Sequence, residues 1–253
     1  MTIPQRIIAR LDIKGPNVVK GIHMEGLRII GDPNDLARRY YEQGADEIIF
    51  MDTVASLYGR NQIRSVVERA ALDVFIPMTA GGGLRTLDDI YQTLRSGADK
   101  VAINTAAINR PEFLREAAEA FGSQCIVLAI EAKRLPDGNW ECFTENGRER
   151  SYQNVIEWVV EAEKLGAGEI FITSVDQEGA RRGFDLDLIE AAYNHVDIPI
   201  IAGGGTGSAE HVLELVSAPR TDAVCCGSLF HYDLCPLPDL KSKLFAAGHV
   251  VRQ

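Results

Sequence analysis

Two runs of three glycines are the clearest chemical signals in the sequence. They occupy positions 81–83 and 203–205. Each run lies shortly before a residue suited to begin a helix, Thr86 or Ser208. Consecutive glycines let backbone N–H groups approach an anion closely, and a helix N-terminus adds positive partial charge. A glycine after a strand can also serve only a tight turn, but two such loops, each near a hydroxyl donor, favour two phosphate-binding sites.

Polar residues near the two glycine runs complete the predicted binding sites. Two phosphate sites predict an elongated substrate that carries a phosphate at each end. The formal net charge of −10 does not prevent this, since such loops use local dipoles and nearby lysines rather than net charge. The predicted substrate- and phosphate-binding residues are Gly82, Gly83, Asn104, Thr105, Asp176, Gly204, Gly205, Gly227 and Ser228.

A pair of acidic residues could carry acid–base chemistry between those sites. Asp12 and Glu131 each end an apolar segment, at corresponding places in the two halves of the chain. Two carboxylates across a substrate serve as general acid and general base when their environments set different protonation states. Lys20 could hold a carboxylate ionised or contact phosphate. Each carboxylate could instead only cap a loop, an alternative that is stronger for Asp52 and Asp176.

These residues need a scaffold of alternating strands and helices. Eight short apolar segments recur along the chain, with amphipathic stretches such as 33–42, 86–95 and 111–121 between them. This alternation, with continuously apolar strands, predicts a parallel sheet covered by helices. The predicted strands are 7–13, 47–51, 76–80, 100–103, 126–130, 169–173, 199–202 and 222–226.

An internal repeat indicates how that sheet is arranged. Residues 44–48 resemble residues 166–170, and residues 76–83 resemble residues 198–205, both at a spacing of 122 positions. Eight strand–helix units in two similar halves predict a closed (β/α)8 barrel, the TIM barrel, which we take as one domain over residues 1–253. An open doubly wound sheet is the alternative, but it gives no reason for the repeat.

Two long segments follow the first and fifth predicted strands, on the face where barrel enzymes place their chemistry. Residues 14–32 are rich in glycine and lysine, which suits a mobile lid. Residues 133–150 predict a small hairpin. The hairpin could contact substrate or only cover the barrel rim.

Four charged residues lie at or near the starts of predicted strands, at the opposite end of the barrel. They are Arg6, Glu47, Lys100 and Glu169. Inward-facing charges there would form a ring that closes the barrel. A salt-bridge plug that only stabilises this face is one interpretation. A gated passage along the barrel axis is the other.

Composition limits the remaining classes of function. The negative net charge disfavours nucleic acid as a partner. Five cysteines without C-x-x-C spacing indicate neither a disulfide framework nor a zinc site, and we expect no metal and no cofactor. No run approaches the roughly 18 apolar residues that cross a bilayer. The N-terminus lacks the apolar stretch of a secretory signal, so we expect a cytoplasmic protein without membrane association.

Several segments together resemble the cyclase subunit family of imidazole glycerol phosphate synthase, over nearly the whole chain. The related single-chain isomerase of the histidine pathway shares the doubled barrel and the phosphate loops. Residues 104–107, 121–124 and 131–134 favour the cyclase instead. The segments that carry the resemblance are 6–14, both glycine runs, 98–106, 121–124, and 168–170 with 173–174.

The resemblance implies a lyase of histidine biosynthesis. Its substrate would be a bisphosphorylated ribulosyl-formimino aminoimidazole carboxamide ribotide, and its products imidazole glycerol phosphate and aminoimidazole carboxamide ribotide. Ammonia would come from a glutaminase subunit docked at the bottom of the barrel and would travel through the core. By position, Asp12 and Lys20 match the family's catalytic aspartate and mobile-loop lysine, so the predicted catalytic residues are these two and Glu131. Asp99 matches an interface aspartate, and the ring of four charges matches the family's gate.

Departures from the family pattern fall at the catalytic end. Glu131 stands in place of the second catalytic aspartate, Arg10 in place of a cysteine, and residues 176–179 read Asp-Gln-Glu-Gly instead of Asp-Arg-Asp-Gly. Misplacing a catalytic group by near 1 Å can cost on the order of a hundredfold in rate. The departures leave two alternatives open. One is a paralogue that delivers ammonia to another acceptor, such as a surface-polysaccharide sugar, and the other is a silent barrel that only activates a glutaminase.

Overall fold

Parallel strands joined edge to edge form a closed ring in the computed structural model, which describes residues 4–55, 63–217 and 221–252. The described strands are β1 (Arg6–Lys14), β2 (Asn17–Ile22), β3 (Glu25–Gly31), β4 (Glu47–Asp52), β5 (Met78–Gly81), β6 (Lys100–Ile103), β7 (Ile126–Arg134), β8 (Trp140–Thr144), β9 (Glu149–Asn154), β10 (Glu169–Ser174), β11 (Ile200–Gly203) and β12 (Ala223–Cys226). The described helices are α1 (Pro33–Glu42), α2 (Ile63–Ala70), α3 (Leu87–Arg95), α4 (Thr105–Asn109), α5 (Glu112–Phe121), α6 (Val155–Lys164), α7 (Leu186–Tyr193), α8 (Ala209–Val216), α9 (Ser228–His231) and α10 (Leu237–Ala246).

The ring runs β1, β4, β5, β6, β7, β10, β11, β12 and back to β1, and each neighbouring pair is parallel. It closes where β12 pairs with β1, with Arg6 opposite Ala223. The two halves join where β7 pairs with β10, with Glu131 opposite Thr173. The predicted (β/α)8 barrel is therefore confirmed, and the open sheet is wrong because β1 pairs on both sides. Each of the eight predicted apolar segments overlaps one strand of the ring.

The barrel strands divide their side chains between an inner and an outer core. Alternate residues of a strand point to opposite faces, so β1 sends Ile8 into the barrel and Ile7 toward the helices. Outer residues pack with helix residues such as Phe113 and Trp158. Burial on both faces explains why these strands are continuously apolar. The inner cluster comprises Ile8, Ile49, Ala102, Val127, Ala129, Phe171, Ile201, Ala223 and Cys225.

Local capping sequences fix where the helices begin. Asp32 accepts hydrogen bonds from the first backbone N–H groups of α1, whose first residue is Pro33. Thr86 caps α3 as predicted and forms a reciprocal capping box with Asp89. Ser208 also precedes its helix, but its side chain makes no capping hydrogen bond. None of the described helices combines the length and apolar character needed to cross a membrane.

Antiparallel hairpins follow the first strand of each half, which reflects the internal repeat. After β7 comes the predicted hairpin, β8 and β9. After β1, however, residues predicted as a mobile lid form the hairpin β2–β3, which continues the β1 ladder with Asp12 opposite Val19. Its tip is packed, because the His23 backbone N–H donates to the Glu178 carbonyl at 2.7 Å and Met24 is buried.

Aspartates that precede three barrel strands tie neighbouring strands together at the bottom of the barrel. Asp46 accepts the backbone N–H of Ile7 at 2.7 Å. Asp99 accepts that of Met78 at 2.8 Å, and Asp222 accepts that of Ile200 at 2.9 Å. Asp46 Oδ1 also accepts a hydrogen bond from Lys241 Nζ at 2.8 Å, and this bond anchors α10 to the barrel. Each bond satisfies a backbone donor near the start of a strand and fixes the register there.

We expect Asp46→Ala to lower the free energy of unfolding by about 2 kcal/mol, because a buried N–H and a lysine lose their common acceptor. Urea unfolding of the purified chain measures this loss. Asp73→Ala, in an exposed loop, is the control and should change the value by less than about 0.5 kcal/mol. Equal losses in the two variants would show that the Asp46 bonds add nothing.

Candidate active site

The predicted catalytic residues meet at the carboxyl ends of the barrel strands, here called the mouth. Asp12 lies near the end of β1 and Glu131 in β7, four places on around the ring. Asp12 lies an even number of residues from inward-facing Ile8, and Glu131 from inward-facing Val127, so both side chains point into the barrel. Both are almost fully buried. The strands thus place two carboxylates inside one end of the barrel.

Asp12 is held by two cations. Arg10 Nε donates to Asp12 Oδ1 at 2.7 Å, and Lys20 Nζ donates to Asp12 Oδ2 at 2.8 Å. Lys20 comes from β2, so the hairpin β2–β3 delivers this ammonium group into the mouth. It also forms an ion pair with Glu178, in the loop after β10.

Arg10 reaches across the barrel interior from β1 to β10. Its Nη1 donates to Thr173 Oγ1 at 2.8 Å and lies 4.0 Å from Glu178 Oε2, while the guanidinium lies 5.4 Å from the centre of the Phe171 ring. Arg10, Asp12, Lys20 and Glu178, here called the mouth cluster, are each at most 6% exposed. Two cations and two anions balance their charges, as burial of ions requires. Arg10 and Glu178, which the sequence indicated as departures from the resembled family, therefore belong to the same cluster.

The two carboxylates have opposite proton affinities. Burial alone would raise the pKa of Asp12, but the charges of Arg10 and Lys20 outweigh it and hold that pKa well below its usual range. Burial raises the pKa of Glu131 to about 7, against smaller opposing effects from the Gly147 N–H and Arg10. Near neutral pH, Asp12 is a fixed anion, whereas Glu131 can both take and release a proton.

The oxygen Oε2 of Glu131 receives two hydrogen bonds. The Gly147 backbone N–H donates to it at 2.8 Å, and Asn104 Nδ2 donates at 3.0 Å. The same Asn104 nitrogen donates to the Phe143 carbonyl at 3.0 Å. Thr105 Oγ1 accepts the Glu145 backbone N–H at 3.3 Å. Asn104 and Thr105, which are predicted to bind phosphate, thus hold the Glu131 carboxylate and the β8–β9 turn.

The first glycine run lines a cavity of about 260 Å³ that extends to Glu131. Gly82 has a φ of +102°, and a Cβ there would lie 2.4 Å from the Asp52 carbonyl oxygen, so only glycine fits. Asp52 itself accepts the backbone N–H groups of Val54 and Ala55, which is the loop-capping role considered for it above. The other predicted residues that line this cavity are Gly83, Asn104 and Thr105.

The second glycine run shares a small cavity with Gly227, which is the neighbour of Lys20. Gly204 and Gly205 have φ values of +91° and +101°, and a Cβ on Gly227 would lie 2.9 Å from Lys20 Nζ. The cavity here measures about 10 Å³, much smaller than the cavity at the first run. It is lined by these glycines, Ser228, Arg10 and Glu178. The Lys20 ammonium group therefore contacts both Asp12 and a glycine of the second predicted phosphate site.

Asp176 lies apart from these groups. Its Oδ2 accepts the backbone N–H of Arg134 at 2.8 Å, and it lines a separate cavity with Arg134 and Asp185. This is the loop-capping role that the sequence left open. Its role in substrate binding remains a prediction.

The four charges at the bottom of the barrel form a closed bottom ring. Arg6 donates to Glu47 at 2.7 Å and to Glu169 at 2.5 Å. Lys100 donates to Glu47 at 3.0 Å and to Glu169 at 2.8 Å. Burial lowers the pKa of Arg6, but Glu169 and Glu47 outweigh this and raise it. Asp99, the predicted interface residue, is exposed beside the ring and bonds the Met78 N–H.

Three contributors to the site had no assigned role in the sequence analysis. Arg10 and Glu178 were recognised as departures from a family pattern, and Gly147 only as part of a hairpin. A charged residue inside an apolar strand was a usable signal for Arg10, because a buried arginine needs a nearby anion. No local sequence pattern indicated a role for Gly147, since it lies in the β8–β9 turn and its partner Glu131 is in β7.

Comparison with known proteins agrees with this geometry. The model of the family described as histidine biosynthesis protein matches residues 6–236. The chain belongs to this family. It is 58% identical over 205 residues, 81% of this chain and 97% of the relative, to imidazole glycerol phosphate synthase subunit HisF of Legionella pneumophila. The resemblance to the cyclase subunit is therefore confirmed: the chain is a HisF homologue and an enzyme of histidine biosynthesis, and the paralogue alternative is not favoured.

We expect Arg10→Met to lower the free energy of unfolding of this HisF homologue by about 3 kcal/mol at pH 7, because Asp12 and Glu178 are left with one cation. The depressed pKa of Asp12 makes a stabilising contribution above the unfolded-state value of about 4, and that contribution is lost as the pH falls through the folded value.

The stability difference between wild type and Arg10→Met should therefore narrow below about pH 4. Urea unfolding at pH 7 and at pH 3 to 4 tests both statements. Arg38→Met removes an arginine from an exposed helix pair and should leave stability nearly unchanged. A gap that stays constant with pH would contradict the Asp12–Arg10 coupling.

Proposed function

We propose that this chain uses ammonia to convert the bisphosphorylated ribulosyl-formimino aminoimidazole carboxamide ribotide into imidazole glycerol phosphate and aminoimidazole carboxamide ribotide. One observation carries the proposal: two glycine runs and two carboxylates of opposite proton affinity share one barrel mouth. The chain is 58% identical to subunit HisF of imidazole glycerol phosphate synthase, an enzyme named for the first of these products, and this identity supports the same reaction.

The two glycine runs would bind the two ends of the substrate. The first run would hold one phosphate through backbone N–H groups and the N-terminus of α3, beside the cavity that reaches Glu131. The second run would hold the other phosphate near Lys20, whose ammonium group adds positive charge. The reacting centre would then lie between them, against Asp12 and Glu131.

The carboxylates would divide the proton chemistry. Ammonia would add to the ketone carbon of the ribulosyl arm, and ionised Glu131 would accept a proton from the added nitrogen. The ketone oxygen would leave as one molecule of water. Protonated Glu131 would return that proton to the nitrogen on which aminoimidazole carboxamide ribotide leaves. Asp12 would stay ionised and stabilise positive charge that develops on the substrate. Lys20 would hold Asp12 in place and contact the phosphate bound at the second glycine run.

A glutaminase subunit would supply the ammonia at the bottom of the barrel. The bottom ring lies at that end of the axis. Large apolar residues are exposed on the same face, where chain segments enter the strands. They are Leu72 and Phe75 before β5, and Phe245 and Val250 near the C-terminus. Exposed apolar clusters mark protein interaction sites.

Five unpaired cysteines suit the cytoplasm, the location that we propose.

Ammonium-dependent turnover tests the reaction directly. We expect the purified chain to form both products from the ribulosyl-formimino substrate and an ammonium salt. Glu131→Gln and Asp12→Asn should lower kcat by roughly 10²- to 10⁴-fold. Asp73→Asn, at an exposed loop position, should keep wild-type activity.

In the wild type, kcat should rise with pH through a midpoint near 7, because only ionised Glu131 accepts a proton. A folded chain with no turnover rejects the cyclase activity and leaves the paralogue or the silent barrel.

Separate variants test the docking face. Phe75→Ser removes an exposed ring from the bottom of the barrel and should lower glutamine-dependent turnover with the glutaminase at least tenfold. Ammonium-dependent turnover should not change, because the mouth is untouched. Tyr91→Ser, on the outer helix α3, is the matched control for removal of an exposed ring. Wild-type glutamine-dependent turnover in Phe75→Ser would place the glutaminase elsewhere.

A further inference from the structure

We propose that the turn between β8 and β9, residues 145–147, positions the Glu131 carboxylate through the hydrogen bond from the Gly147 N–H. The proposal deepens the acid–base role given above and rests on it. It assigns a function to Gly147, a residue outside the predicted site, and links that function to residues of the first phosphate site.

The turn has an unusual backbone. Glu145, Asn146 and Gly147 have consecutive φ values of +53°, +59° and +76°. Positive φ is uncommon for residues other than glycine, and such conformations persist only where the surroundings enforce them. Here the third residue of the series points its N–H at a buried carboxylate.

Four hydrogen bonds join the turn, the carboxylate and the first phosphate site. Gly147 N–H and Asn104 Nδ2 converge on Glu131 Oε2, at 2.8 and 3.0 Å. Asn104 also bonds the Phe143 carbonyl in β8, and Thr105 Oγ1 accepts the Glu145 N–H. Residues 104 and 105 therefore hold both the turn and the carboxylate.

Packing restricts which side chains fit at position 147. A Cβ at this position would lie 2.9 Å from Met24 Sδ and in contact with Val175. Met24 is buried at the tip of the β2–β3 hairpin, which also carries Lys20. The turn thus lies between the hairpin tip and Glu131, and a side chain at 147 would shift either the Met24 side chain or the turn itself.

The length of the glutamate fits this role. The two methylene groups of the Glu131 side chain carry Oε2 to within hydrogen-bond distance of the turn. A donor to the ionised carboxylate favours that form, in opposition to burial. The turn therefore fixes where the carboxylate lies and opposes the rise in its pKa that burial causes.

The test compares two glycine substitutions. Gly147→Ala adds a methyl group to a left-handed residue against Met24. Gly138→Ala adds the same methyl group to another left-handed glycine, φ +89°, between β7 and β8, where no atom lies within 4 Å of the new Cβ. Both variants carry the same kind of backbone strain, so a difference between them in Tm or in function reports the contact at position 147.

Two measurements are made on each variant. Carbon-13 NMR of glutamate side-chain carboxyls gives the titration of Glu131 without any turnover, with its signal assigned by its loss in Glu131→Gln. For Gly147→Ala we expect the midpoint to rise by about 0.5 to 1 pH unit. Its ammonium-dependent kcat should fall about 10- to 100-fold, with KM changed less than about threefold. Gly138→Ala should match the wild type in both.

A third variant keeps the proposal testable if Gly147→Ala does not fold. Glu131→Asp withdraws the carboxylate from Gly147 and Asn104 without altering the turn, and should also lose about 10- to 100-fold in kcat. A wild-type titration in Gly147→Ala, or wild-type turnover in Glu131→Asp, overturns the proposal. A wild type without turnover overturns the proposed reaction alone, since the NMR titration still decides whether the turn controls Glu131.

Discussion

The buried mouth cluster is the constraint on which the rest of the active end depends. Four ions out of contact with water are tolerable only when each is paired and the charges cancel. Arg10, Asp12, Lys20 and Glu178 meet both conditions. Because Lys20 is on the β2–β3 hairpin and Glu178 follows β10, this pairing holds the hairpin across the mouth. The segment predicted as a mobile lid is therefore anchored through its own lysine.

The same cluster explains how two acids at one mouth acquire different chemistry. Asp12 lies inside the cluster and is surrounded by cations, whereas Glu131 is outside it and receives two hydrogen bonds from neutral donors. Charge stabilises an anion far more than a neutral donor does in a buried site. The division between a fixed anion and a proton carrier thus follows from which neighbours each carboxylate has, not from the acids themselves.

Much of this architecture could be predicted from the sequence. Parallel barrel strands are buried on both faces and read as apolar runs, so all eight could be located, and the repeat showed that they close into a ring. Asp32 and Thr86 begin their helices through local contacts, which a sequence pattern can show. The hairpin after β1 was missed because its glycines and lysines resemble a loop, although Val18 and Val19 are buried strand residues.

Contacts between distant segments account for what the sequence could not show. Arg10 and Thr173 are 163 positions apart, and no local pattern predicts that they bond. Asn104 was predicted as a phosphate ligand from its place after a strand, yet its amide also serves Glu131 and Phe143. Asp176 follows its strand in the same way but bonds Arg134. Position along a strand therefore identifies candidates for the mouth, while their partners depend on the closed barrel.

The bottom ring carries a consequence for what can enter the barrel. Arg6 and Lys100 alternate with Glu47 and Glu169, so the ring has no net charge and every carboxylate is already engaged. An ionic guest would have to compete with both side-chain cations for the same oxygens and lose its own hydration. A small neutral guest would need only one pair to separate. For the ammonia passage proposed above, the ring would therefore favour NH3 over NH4⁺.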